Sequence, residues 1–145
     1  MTIIFDTNVI ISAFVFRGVA QKCFDTLVEI DELVVSNELI KEISAKFQGG
    51  RVKKLLKNQY NEFEVENYLE EFFAITKLVG THSNYQICRD PKDNMILNLA
   101  KDSNCDIVVT GDKDLLVLNP FASVKIISPA DFVLFKNLFK IPLYS

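Results

Sequence analysis

Four short apolar runs recur along this chain with helical stretches between them, and no other feature narrows the fold so far. They are Ile3 to Phe5, Glu32 to Val35, Ile107 to Val109 and Val124 to Ile127. Each is too short for a buried helix, and nearly every position in them is apolar. Successive side chains of a strand point to opposite faces, so runs of this kind need cover on both sides. The expected fold class is therefore α/β: a central, mainly parallel β-sheet flanked by helices on both faces.

The intervening segments predict the helices. Residues 8–15 and 19–29 carry apolar positions at helical spacing, broken at Gly18. Ser36 is placed to cap a helix with Leu39, Ile43 and Phe47 on one stripe, which stops at Gly49-Gly50. Further helices are expected over 51–57 and 61–77, with a short strand at 78–80. Asp90-Pro91 opens another helix, since proline suits the first helical position after a capping aspartate. Ser128-Pro129 starts the last helix, which should end near Phe139 with Pro142 beyond it.

At 145 residues, 49% hydrophobic and 24% charged, the chain is expected to form one globular domain over 1–145. No apolar run reaches the roughly 18 residues of a membrane span, and no basic patch precedes the apolar N-terminal stretch. A soluble, cytoplasmic protein without membrane contact is the expectation. Cys23, Cys88 and Cys105 are odd in number and widely spaced, which suits core thiols better than disulfides or zinc. With His82 as the one histidine, neither a two-histidine acid–base mechanism nor a His-rich metal site is possible within one chain.

Carboxylates gather where the strands end. Asp6 terminates the first run, and Asp112 follows the 107–109 run in Thr110-Gly111-Asp112-Lys113-Asp114. Ligands of open parallel sheets bind at the carboxyl ends of the strands. Asp93 lies in the first turn of its helix, three residues before Ile96, on the face that should pack on the sheet. Glu42 sits beside the apolar stripe of its own helix. Each acid alone reads equally as a turn, capping or solvated residue. Brought into one crevice, the four would repel one another unless a cation neutralised them, and carboxylates with water are what Mg²⁺ or Mn²⁺ prefers.

These residues resemble a known family. Ile3-Ile4-Phe5-Asp6-Thr7-Asn8-Val9-Ile10, then Glu42, then Arg89-Asp90-Pro91-Lys92-Asp93, then Val109-Thr110-Gly111-Asp112-Lys113-Asp114-Leu115-Leu116 look like the signature of PIN-domain ribonucleases. The variant is similar to toxin components of bacterial toxin–antitoxin systems. The resemblance implies a metal-dependent endoribonuclease that hydrolyses single-stranded RNA and leaves a 5′-phosphate. It implies Mg²⁺ or Mn²⁺ held by Asp6, Glu42, Asp93 and Asp112 as the catalytic set, supported by Asn8 and Thr110, with Asp114 as an auxiliary acid. Asp90 caps its helix on this reading. Asn94 stands where relatives often carry another acid, which implies a weaker or missing second metal. A protein antitoxin is an implied partner.

The net charge of −3 does not by itself advertise a nucleic-acid binder. One basic cluster does stand out: Lys46, Arg51, Lys53, Lys54 and Lys57, which suits either an RNA backbone or a solvated helix face. Tyr60 and Phe63 nearby could stack on bases, though the spacing of Phe63 suits core packing better. The aromatic stretch Phe132 to Phe139 exceeds what a chain end needs for its core, and a homodimer or antitoxin interface could use the surplus. Two other readings compete: a PIN-like binding module without catalysis, and a phosphatase or receiver domain phosphorylated on Asp6. Phosphatases of that type need a second aspartate where Asn8 stands, and no Gly-rich phosphate loop is present.

Overall fold

The computed structural model describes residues 1–138. Five strands form one sheet: β1 (Thr2–Phe5), β2 (Glu32–Val35), β3 (Thr76–Leu78), β4 (Ile107–Val109) and β5 (Lys125–Ile127). Their spatial order is β3-β2-β1-β4-β5, and every neighbouring pair runs parallel. Eight α-helices accompany them among the described residues: α1 (Thr7–Val15), α2 (Gly18–Asp25), α3 (Asn37–Gln48), α4 (Gly50–Lys57), α5 (Glu62–Ala74), α6 (Asn94–Asp102), α7 (Lys113–Leu116) and α8 (Pro129–Leu138).

The expected α/β architecture with a helix-covered parallel sheet is the one observed. Ile3, Ile4 and Phe5 are all buried, as are Ile107, Val108 and Val109, so the central strands are covered on both faces. The Phe5 ring meets Phe24 and Phe132 edge-on at centroid distances of 4.9 and 5.7 Å, which ties β1 to α2 and α8. Ser36 caps α3 by accepting from the Leu39 N–H at 3.1 Å, and Leu39, Ile43 and Phe47 are buried as the stripe predicts.

Three expectations need correction. The 61–77 helix stops at Ala74, and the strand after it is Thr76–Leu78 rather than 78–80. This edge strand pairs with β2 alone and leaves Lys77 and Leu78 exposed, so it lacks the apolar signature of the inner strands. The 19–29 helix stops at Asp25, because Thr26 turns its hydroxyl back onto the Cys23 carbonyl at 2.8 Å and Asp31 accepts from the Val28 N–H at 3.0 Å. The one-turn helix α7, capped by Asp112, was not anticipated from the sequence. Asp90-Pro91 opens a 3-10 turn, Pro91–Asp93, which leads into α6.

Of the C-terminal aromatic stretch, Phe132 is fully buried and Phe135 packs against the core, whereas Leu134 and Leu138 are exposed. Phe139 and Pro142 lie outside the described residues. No helix among the described residues is long and apolar enough to cross a membrane.

Candidate functional site

The carboxyl edge of the sheet begins with Asp6, whose N–H extends the ladder by donating to the Val109 carbonyl at 2.9 Å. Its carboxylate is clamped from two directions. The Thr7 N–H donates to Oδ1 at 2.7 Å and the Thr110 hydroxyl donates to Oδ2 at 2.7 Å. That same hydroxyl accepts from the Asp112 N–H at 3.0 Å, so one fully buried threonine oxygen links the acids of β1 and β4. Burial raises the pKa of the Asp6 carboxyl, the bonds from Thr110 and Thr7 oppose the rise, and the charges of Glu42 and Asp112 add to it.

Glu42 arrives from α3 and accepts a hydrogen bond from the Thr7 hydroxyl, which fixes its carboxylate beside Asp6. Thr7 was not singled out from the sequence, where it read as a turn residue. The signal available was its place directly after a strand-ending acid.

Asp93 closes the 3-10 turn with 9% of its surface exposed. Its pKa is pushed up to about 7, first by burial and then by the proximity of the Asp112 carboxyl, with smaller contributions from Asp6 and Asp90. Its Oδ2 is buried and has no hydrogen-bond partner. Carboxylate oxygens of Asp93, Asp112 and Asp114 lie within 4.8 Å of one another. Asp112 caps α7 by accepting from the Asp114 N–H at 2.9 Å. Asp114 in turn takes the guanidinium of Arg89 at 3.1 and 3.2 Å.

This donor set fits a hard divalent cation. All its ligand atoms are oxygens, and a buried carboxylate oxygen without a donor is costly unless a proton or cation serves it. The compact group contains Asp114, which the sequence reading treats as auxiliary. Asp6 feels the charge of Asp112, and Glu42 adjoins the trio only through Asp6. Asp90 caps the 3-10 turn by accepting from the Lys92 N–H at 3.1 Å. Asn94 accepts from the N–H groups of Ile87 and Cys88 at 3.1 and 2.9 Å, so its amide oxygen is engaged in holding a loop. The Cys88 thiol, pushed up to about 11 by burial and then by Asp93 and Asp112, stays protonated.

A groove of about 560 Å³ leaves the acids past Asn8 and Glu42, with Lys46, Arg51 and Lys92 in its walls. The expected basic cluster is thus divided. Lys53 and Lys57 line a different cleft of about 720 Å³, and Lys54 lines neither of the two. Lys92 was missed because it stands two positions before Asn94, far in sequence from the other cations. The two aromatic expectations are reversed: Tyr60 stacks on Phe14 at 4.3 Å, whereas Phe63 is 69% exposed. His82 is exposed, with Nε2 at 3.4 Å from Asp102.

Residues 2–114 match the family described as PIN domain. An uncharacterized protein of Methanocaldococcus jannaschii is 30% identical over 142 residues, which span 90% of this chain and 88% of that protein.

Proposed function

The chain belongs to the PIN-domain family, a family of nucleases, and from that membership we propose that it is a metal-dependent endoribonuclease acting on single-stranded RNA. In this reading Asp6, Glu42, Asp93 and Asp112 hold Mg²⁺ or Mn²⁺, and residues 1–145 form one PIN domain. The toxin role in a toxin–antitoxin pair, with a protein antitoxin as partner and the cytoplasm as location, is part of the same proposal. The observation that carries it is the unpartnered, buried Oδ2 of Asp93 beside Asp112 and Asp114.

Bound among these acids, the cation supplies water activation and charge neutralisation at the phosphate. The chain's own residues do the rest. Thr110 and the Thr7 N–H hold the Asp6 carboxylate in one orientation, and the Thr7 hydroxyl does the same for Glu42. Groups standing behind metal ligands in this way set ligand direction. Asp93, with its pKa pushed up to about 7, shares its carboxyl with a proton near neutral pH, a proton that a bound cation would have to displace. Arg89 offsets the charge of Asp114, which lets a third acid stand in a crowded site. Lys92, next to Asp93 in the chain, meets the phosphate backbone as it approaches along the groove.

The test is cleavage of labelled single-stranded RNA with Mn²⁺, Mg²⁺ or EDTA, beside Asp6→Asn and Asp93→Asn. We expect cutting that needs the metal, leaves 5′-phosphate ends and falls in both variants by more than the roughly 10–100-fold typical of groups behind the ligands. Protein that neither cuts nor binds Mn²⁺ would instead be a binding module on the same fold.

A further inference from the structure

The groove beside Glu42 is apolar and cationic at once. It is lined by Ile11 and Leu55, by Lys46, Arg51 and Lys92, and by Phe16. Three cations face one acid, Glu42, whose carboxylate is already engaged by Thr7, on a chain whose net charge is −3. Phe16 is 69% exposed, although it follows directly on a helix whose apolar residues are otherwise buried. Its neighbour Phe14 is packed between Tyr60 and Tyr68, whereas Phe16 makes no ring contact among the described residues.

The backbone turns directly after that ring. Arg17, a non-glycine residue, sits at φ 60° and ψ −97°, followed by Gly18 at φ 47°. Strained conformations of this kind persist where the surrounding structure enforces them, and they cluster at ligand sites. Here the strained Arg17, followed by a glycine free to take positive φ, breaks the chain between α1 and α2 directly after Phe16.

We propose that Phe16 is a stacking platform for a base of single-stranded RNA, and that Lys46, Arg51 and Lys92 hold the phosphates on either side of that base. This rests on the nuclease reading and deepens it by placing the strand that leads to the acids. An apolar lining with an exposed aromatic ring and cationic side chains is the construction that single strands are bound by. A double helix, with its bases stacked inward, offers no face to the ring.

Binding is measured with Asp93→Asn protein in EDTA, so that no strand is cut, using RNA that carries 2-aminopurine at successive positions. One position should be quenched on binding. Adding Phe16→Ala should abolish that quenching and weaken the Kd about tenfold, and Phe16→Trp should restore both. Arg51→Ala and Lys92→Ala should weaken binding and each lower the salt dependence by about one phosphate contact. Lys53→Ala, in the other cleft, should change neither. Unaltered affinity and quenching in Phe16→Ala would overturn the proposal. So would losses at Lys53 equal to those at Arg51, or no RNA binding at all, which would leave the groove to a protein segment. Wild-type cleavage is followed in parallel: intact Mn²⁺-dependent cutting with any of those results sinks the groove alone, while absent cutting and absent Mn²⁺ binding sink the nuclease reading.

Discussion

Asp93 shows how one residue can report on the whole site. Its pKa, pushed up to about 7, lies above the ordinary value of 3.8 because burial and the Asp112 carboxyl both oppose its charge. The folded protein therefore keeps a proton that the unfolded chain releases. Stability from this group is complete below about pH 4 and is lost as pH rises toward 7. Asp6, also raised, acts in the same direction. Metal-free protein should melt lower at pH 8 than at pH 5.5, and Asp93→Asn should flatten that dependence. A cation must displace the proton, so Mn²⁺ should raise the melting temperature more at pH 8 than at pH 5.5. Thermal melts at the two pH values, with and without Mn²⁺, check both; an Mn²⁺ effect independent of pH would remove Asp93 from the ligand set.

At the scale of elements, α6 does more than cover the sheet. Asn94, Asn98 and Asp102 stand four residues apart on it, and each accepts from the backbone of the preceding loop. Asp102 takes the N–H groups of His82 and Ser83 at 2.7 and 2.9 Å as well as the Ser83 hydroxyl, Asn98 takes the Tyr85 N–H at 2.7 Å, and Asn94 takes Ile87 and Cys88. Residues three and four apart share a helix face, so this stripe fastens a segment that has no strand or helix of its own. The segment ends at Arg89 and Asp90, which begin the acid site. Asp102→Ala should cost about 1–3 kcal/mol by leaving donors unpaired. Urea unfolding should give that figure, and hydrogen exchange at His82 and Ser83 should quicken more than at the core strands. Equal acceleration everywhere would mean that the stripe acts on global stability alone.

Across the whole molecule, a buried ion pair joins parts of the chain far apart in sequence. Lys136 on α8 reaches Asp31, just ahead of β2, and both side chains are almost fully buried. Burial alone would raise the Asp31 carboxyl; the bonds from Lys136 and the Val28 N–H outweigh it and lower the pKa. The stability that this contributes is present above about pH 4 and is lost as the pH falls below it. Lys136→Met breaks the buried pair and leaves Asp31 only the N-terminal ammonium of Met1, at 3.2 Å, so it should cost about 3 kcal/mol, the low end for a broken buried pair. The double variant Lys136→Met with Asp31→Leu should recover part of it, since the desolvation cost goes with the two charges while the Met1 ammonium and the Val28 N–H lose their acceptor. Chemical unfolding of the three variants decides this, and a double variant as unstable as the single would refute it.

Much of this protein follows from sequence by local rules. Apolar runs of three or four residues dictate strands, the inner ones β1, β2 and β4 because only a sheet covered on both faces can bury consecutive side chains, and Ser36 and Asp90 are legible as caps because a cap reads only its next few neighbours. Asp6 and Asp112 could be placed at the strand ends for the same reason. What depends on contact between distant segments was not legible. The edge strand β3 begins two residues before the expected 78–80, inside the stretch that reads as helix, because its outer side faces solvent and carries no apolar mark. Thr7 finds Glu42 across 35 positions, Thr110 finds Asp6 across 104, and Lys136 finds Asp31 across 105. The division of the basic cluster between two clefts, the exposure of Phe16 beside a strained turn and the engagement of Asn94 by a loop belong to the same class. Sequence determines which residues can cap, bury or carry charge, because those are properties of a few neighbours; the tertiary structure decides which of them meet, because burial and hydrogen bonding are settled by whatever chain is brought alongside.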